Sequence, residues 1–271
     1  MNMALETYLR NKLKKKDILL MTHIVLGYPS LEDSFRIVET MVDSGVDLIE
    51  LQIPFSEPIA DGPVIVRANQ RALQRGATVE ACLNLAERVV REFDIPFLIM
   101  TYYNILFCYG VRDFVSAMAK MGLQGAIIAD LPPEEGYDYL EAMQTHDLAP
   151  ILIFSPATSD MRMKYLDSFC KGFIYCVARK GVTGADTNFS TGLESYLVRC
   201  RKACSLPLAV GFGIKERANV DFLRGKADIA VIGTEVINRV EEMGVASVGD
   251  FIRSLSPVNT NSLGGVAAEG E

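Results

Sequence analysis

The sequence predicts an α/β protein built as a single (β/α)8, or TIM, barrel, with a short N-terminal helix before it and a disordered C-terminal tail after it. Three observations carry this. Eight short apolar runs alternate with helical stretches along 271 residues. The runs are mostly continuous in apolar character, as parallel strands covered on both faces are. No linker divides the chain, and eight β-then-α units in this length suit one barrel placed over residues 1–255, with 256–271 as the tail. An open doubly wound sheet is the competing arrangement.

Taken in order, residues 2–13 form an amphipathic helix, with Leu5, Tyr8, Leu9 and Leu13 at helical spacing. Ile18 to Leu26 is the first strand, stopped by Gly27-Tyr28-Pro29. Ser30 is an N-cap for a helix whose face carries Phe35, Ile37, Val38 and Met41 and which ends at Gly45. Val46 to Ile53 is the second strand. Pro54, Pro58, Gly62 and Pro63 hold the next residues out of regular structure, and helices follow over Val64–Arg75 and Val79–Glu92. Then come a strand at Pro96–Tyr102, a helix at Val111–Met121 and a strand at Gly125–Leu131. Pro133 opens a helix reaching about His146, at a position where its missing N–H costs nothing. Ala149–Phe154, Gly172–Ala178, Pro207–Phe212 and Ala227–Ile232 are the last four strands. Helices from Ser159, Thr191 and Lys215 separate them, and further helices close the barrel. The tail is small and polar, with little to bury.

The composition is that of an ordinary globular chain, 49% hydrophobic and 23% charged. A net charge of −7 argues against a general nucleic-acid surface, while a small anion needs only local positive potential. The N-terminus lacks the pattern of a signal peptide, and no apolar run approaches the ~20 residues of a membrane span, so a cytoplasmic protein is expected. The six cysteines form no C-x-x-C pair. Cys200 and Cys204 have no nearby His, which argues against zinc and for reduced, mostly buried thiols.

In such a barrel the residues after each strand meet at one mouth. Glu50 sits inside the second apolar run, and Asp61 follows near the end of the Pro-rich loop. A charge inside a buried strand is costly unless paired or functional, which makes the two an acid/base candidate. The alternative is a solvated edge-strand Glu and a helix-capping Asp. Glycine-bearing turns follow strands six, seven and eight, at Gly181–Gly184, Gly211–Ile214 and Gly233-Thr234. Their backbone N–H groups can surround an anion, and Gly233-Thr234 also opens a helix. The plain alternative is three tight turns.

The motifs E-L-x-I-P-F-S-x-P-x-A-D-G-P, M-T-Y-Y-N, A-D-L-P-P-E-E, R-x-G-V-T-G and G-F-G-I occur in this order, and the resemblance spans about residues 5–254. Together they resemble the tryptophan synthase α subunit family. The resemblance implies cleavage of indole-3-glycerol phosphate to indole and glyceraldehyde 3-phosphate. This is a retro-aldol reaction with no metal or cofactor. It also implies a pyridoxal-phosphate β subunit as partner, in an α2β2 tetramer. Glu50 matches the family's general acid/base, and an apolar lining favours the proton-carrying form of such a group. Asp61 matches the carboxylate that accepts the indole N–H, with Thr183 as the expected contact of its closing loop. Met100, Ile127, Ala129, Ile153, Tyr175, Phe212 and Ile232 match the ring's surroundings, and Gly184, Gly213, Gly233 and Thr234 the phosphate site. Pro54, Glu57, Asn104 and Pro132 match the surface facing the β subunit.

Four positions depart from the family. Gln52 stands where the family has Gly, and strand alternation points it to the same side as Glu50. His23 replaces the usual aromatic, Val25 a Thr, and Glu235 the last residue of Gly-Ser-Ala at the phosphate helix. Either Gln52 and His23 are hydrogen-bonded neighbours with Glu235 facing outward, or the pocket is reshaped. The competing functions are a relative acting on another phosphorylated substrate and a chain that mainly activates a β partner.

Overall fold

A computed structural model describes residues 3–177, 191–211 and 213–256. Eight strands form a closed, all-parallel barrel in sequence order: β1 (Leu19–Val25), β2 (Leu48–Gln52), β3 (Phe97–Thr101), β4 (Gly125–Ile128), β5 (Ala149–Phe154), β6 (Ile174–Val177), β7 (Leu208–Gly211) and β8 (Ile229–Ile232). The last strand closes on the first through Leu19 opposite Ile229. The competing open sheet is thereby excluded.

The continuous apolar runs have a simple cause. Successive side chains point to opposite faces of a strand, and both faces are covered. Leu19, Met21, Leu48, Leu98, Ile151 and Ile229 fill the lumen, while Leu20, Ile24, Ile49, Leu51, Phe97 and Ile99 pack beneath the outer helices. Helix α1 (Leu5–Leu13) closes the N-terminal end, where Leu5 and Leu9 join the lumen cluster. Gly172 makes this possible: with φ at +79°, it has no Cβ where one would lie 2.8 Å from Leu5 Cδ2. Tyr8 Oη donates to the Asp47 carbonyl at 3.1 Å, and the Asp47 carboxylate accepts from Leu20 N and Lys16 Nζ.

The outer layer begins with α2 (Leu31–Asp43), capped by Ser30 accepting from Asp33 N, then α3 (Pro63–Gln74) and α4 (Val79–Glu92). Helix α5 (Tyr103–Tyr109) was not expected from the sequence. It has no side-chain cap of its own; Asp130, from the loop after the next strand, accepts from Tyr103 N at 2.7 Å. Helix α6 (Val111–Met121) ends at the left-handed Gly122.

Pro133 does not open a helix. Residues 132–136 form a turn, with Glu135 N donating to Pro132 O and Gly136 N to Pro133 O, and α7 (Tyr137–Thr145) begins after Gly136. Glu134 is held instead by Arg162 of α8 (Asp160–Asp167), an ion pair between neighbouring connections. Helices α9 (Thr191–Ala203), α10 (Arg217–Leu223), α11 (Thr234–Met243) and α12 (Ser247–Leu255) complete the layer. The tail from 257 onward, and the strand-six loop with Arg179, Thr183 and Gly184, lie outside the described residues.

Candidate active site

The site follows from the register of two strands. β1 pairs with β2 so that His23 lies beside Glu50 and Val25 beside Gln52. Glu50 and Gln52 are both buried, at 2% and 0% exposure. His23 Nδ1 lies 3.1 Å from Glu50 Oε1, within hydrogen-bond reach of the carboxyl group. Glu50 Oε2, His23 Nε2 and Gln52 Oε1 have no hydrogen-bond partner among the described residues.

Asp61 returns to this cluster at the end of the Pro-rich loop. Gln52 Nε2 donates to Asp61 Oδ2 at 2.7 Å. The loop has further ties. Ala60 N donates to Tyr102 Oη at 3.1 Å, Phe55 N donates to Asn69 Oδ1 at 2.9 Å, and the Phe55 ring stacks on Tyr102 at 5.1 Å. Pro63 then sets the first turn of α3.

Burial raises the Asp61 carboxyl above its ordinary range, opposed by the Gln52 hydrogen bond, the His23 charge and Tyr102, with Glu50 adding to the rise. For His23, burial alone would favour the neutral ring. The charge and hydrogen bond of Glu50, with Asp61 and Gln52, outweigh it and raise its pKa above the usual histidine value. Tyr175 is pushed well above the ordinary tyrosine value by withdrawal from water, then by Glu50 and Asp61.

Glu50 and Asp61 share one cavity of about 570 Å³ with Met100, Ile127, Ala129, Ile153, Tyr175, Gly213, Gly233 and Thr234. The structure thus brings together the two carboxylates, the described ring-lining residues and three of the four glycine-turn residues expected at an anion. Ile232 does not belong. It packs under the helices, and Val231, its neighbour on the other face, lines the cavity. Phe212, Thr183 and Gly184 lie outside the described residues.

At the anion end, Gly233 precedes α11, whose first N–H groups lack intrahelical acceptors. Glu235 does not enter the cavity. It pairs along its own helix with Arg239 at 2.9 Å. Among the residues expected at a partner surface, Glu57, Asn104 and Pro132 are exposed, each after one of three adjacent strands, whereas Pro54 is buried within the chain. Ile59 and Phe107 are exposed at 69% and 68%. No group of three or more His, Cys, Asp or Glu suited to a metal occurs among the described residues.

Sequence reasoning missed Ile65 and Val177, which line the cavity. Tyr102, at the mouth after the third strand as expected, anchors the Asp61 loop. Nothing in the sequence announced Ile65, because only the packing of α3 brings it to the mouth.

The sequence model of the family described as tryptophan synthase alpha chain matches residues 9–255. A tryptophan synthase alpha chain from Desulforapulum autotrophicum is 61% identical over 252 residues, covering 93% of this chain and 100% of that one. One from Syntrophotalea carbinolica is 61% identical over 251 residues, covering 93% and 99%. Among solved structures, tryptophan synthase of Mycobacterium tuberculosis superposes with a TM-score of 0.86 at 28% identity, covering 93% of this chain and 96% of that chain. The tryptophan synthase complex of Pyrococcus furiosus superposes with 0.81 at 26% identity, covering 88% and 97%.

Proposed function

The chain belongs to the tryptophan synthase alpha chain family, whose members serve tryptophan biosynthesis, and on that premise we propose that it is a lyase cleaving indole-3-glycerol phosphate to indole and glyceraldehyde 3-phosphate. The observation that carries this is the placing of two buried carboxylates, Glu50 and Asp61, in one cavity with the Gly213 and Gly233-Thr234 turns.

The cleavage moves two protons. One must reach the indole carbon that becomes the leaving group, and one must leave the side-chain hydroxyl that becomes the aldehyde. Glu50 engages His23 through Oε1, so Oε2 is the atom proposed to carry the proton. Asp61, held through Oδ2, offers its other oxygen to the indole N–H and stabilises positive charge on the protonated ring. Met100, Ala129 and Tyr175 enclose the ring, with Phe212, Thr183 and Gly184 as further proposed contacts. The turns at Gly213, Gly233 and Thr234 take the phosphate, aided by the α11 N-terminus. No cofactor is needed for this chemistry.

The proposed partner is a β subunit that receives indole, in an α2β2 assembly. Exposed Glu57, Asn104 and Pro132 beside Ile59 and Phe107 support a docking surface at the barrel mouth; Pro54 would contribute from beneath. Among the described residues no helix is long and apolar enough to cross a membrane; the proposed setting is cytoplasmic.

The test is indole release from indole-3-glycerol phosphate by the purified chain, with and without a tryptophan synthase β subunit. Slow release alone and faster release with β is the expected result. No release in either condition, from a folded chain, overturns the proposal.

A further inference from the structure

The cavity poses an electrostatic problem. Its described lining contains two carboxylates, Glu50 and Asp61, and neither lysine nor arginine. A phosphate ester entering it brings more negative charge into a buried space, where repulsion is weakly screened. Among the described lining residues, His23 is the one side chain that can carry positive charge near neutral pH.

Its placement is specific. The Nδ1 edge of the ring faces Glu50 at 3.1 Å. The Cδ2 side of the ring lies against Gly233, between β8 and α11: a Cβ built there would be 3.6 Å from His23 Cδ2. Nε2 is bonded to Cδ2, is buried, and has no hydrogen-bond partner among the described residues. One imidazole therefore spans the gap between the proposed acid/base carboxylate and the proposed anion turn. A phenylalanine-like ring there would supply neither contact.

We propose that His23, as imidazolium, is a substrate-binding residue that donates from Nε2 to an oxygen of the phosphorylated arm while Nδ1 holds Glu50 in place. This rests on the proposed reading of the cavity and adds to it a residue that the motifs do not supply. The groups acting on His23 are Glu50 and Gln52 on β2 and Asp61 on the following loop, and Tyr175 lines the same cavity. Glu235 of α11 is turned to Arg239 and does not compete. Two nearby carboxylates favour the protonated ring, and a bound phosphate ester would favour it further.

The first measurement is kcat and KM against pH for the wild type, His23→Phe and His23→Gln. The wild type should lose kcat/KM on the alkaline side as His23 deprotonates. His23→Phe should lose that limb and raise KM about 10- to 100-fold, the worth of a buried charge-assisted hydrogen bond. His23→Gln, which keeps a neutral donor, should recover part of KM without the limb. An unchanged limb in His23→Phe, with KM within about twofold, overturns the inference while leaving the proposed reaction standing.

The second measurement does not need turnover. Binding of glycerol 3-phosphate is followed by calorimetry at about pH 8, above the second phosphate ionisation, in buffers of different ionisation enthalpy. Proton uptake by the wild type, absent in His23→Phe, supports the imidazolium contact even for a chain that fails to cleave indole-3-glycerol phosphate. Equal proton uptake in both chains overturns it.

Discussion

Gln52→Met separates two readings of an unusual lumen residue. If Gln52 merely obstructs the substrate, a change that removes its amide should speed cleavage or leave it unaltered. The structure argues otherwise. Gln52 does not line the cavity; it lies behind Asp61 and donates to it at 2.7 Å. A buried hydrogen bond to a carboxylate is worth about 1.5–3 kcal/mol. Asp61 keeps its other supports, since Tyr102 and Asn69 still hold the loop. The loss should therefore fall on the orientation of one carboxylate, at about 10- to 100-fold in kcat/KM.

Stability should fall as well, by about 1–3 kcal/mol, because the buried Asp61 Oδ2 loses its donor. Methionine fills similar volume, which keeps the added packing cost small. The change also removes Gln52 Oε1, a buried acceptor without a partner among the described residues, which offsets part of that cost. The assay pairs steady-state cleavage with thermal melting, repeated in an Asp61→Ala background. If Gln52 acts through Asp61, its effect on cleavage disappears there. Undiminished cleavage by Gln52→Met, or the same loss in both backgrounds, would refute the reasoning.

Glu50→Gln should lower kcat by at least about 10²-fold, with a melting temperature near that of the wild type; retained turnover would remove Glu50 from the acid/base role. The unfolding free energy should report His23 directly. Its folded-state pKa is raised, so its contribution is fully present below about pH 6.5 and is lost as pH rises through the folded value. Urea titrations across this window should show a decline with rising pH that His23→Phe abolishes, and a parallel decline in the variant would refute the assignment. The raised Asp61 carboxyl behaves with the same sign, but its contribution begins to be lost above the ordinary aspartate value. Leu9→Ala, at a fully buried position in α1, should cost about 2–5 kcal/mol, read as a lowered melting temperature with the site chemistry retained.

The barrel was legible because its signal is repeated. Each strand is an apolar run long enough to cover two faces, and Ser30 and Gly122 mark helix ends by local chemistry. What failed was set by contacts distant in sequence. Helix α5 takes its cap from Asp130, 27 residues away, so nothing beside Tyr103 announces it. Pro133 had the right residue type for a helix start. Gly136 delays the helix, and Glu134 finds its partner on α8. At the site, Glu50 and Asp61 were visible because carboxylates in an apolar, Pro-rich context are anomalous. Ile232 was misplaced by one residue, enough to move it to the other face of a strand.

The positions at which the resemblance leads to other residues being expected are related by strand register. His23, Val25 and Gln52 look scattered in the sequence, but β1 and β2 set His23 beside Glu50 and Val25 beside Gln52. Val25 packs with Ile65, Ala68 and Ile237 under α3 and α11, where a threonine hydroxyl would sit among apolar neighbours. Its apolar side chain also leaves the neighbouring Gln52 amide without a competing hydroxyl. Gln52 engages Asp61, and His23 engages Glu50. Each proposed catalytic carboxylate thus has a buried partner at a position where the family resemblance leads to glycine or an aromatic being expected. The two partners differ in kind. Gln52 is a neutral donor and restrains Asp61 at every pH, whereas His23 gains or loses a charge beside Glu50. Glu235 stands apart, paired within its own helix. The polar character gained by this lumen is therefore concentrated on the two carboxylates, so substitutions at 23 and 52 should alter proton transfer and substrate orientation before they alter which ring the cavity accepts.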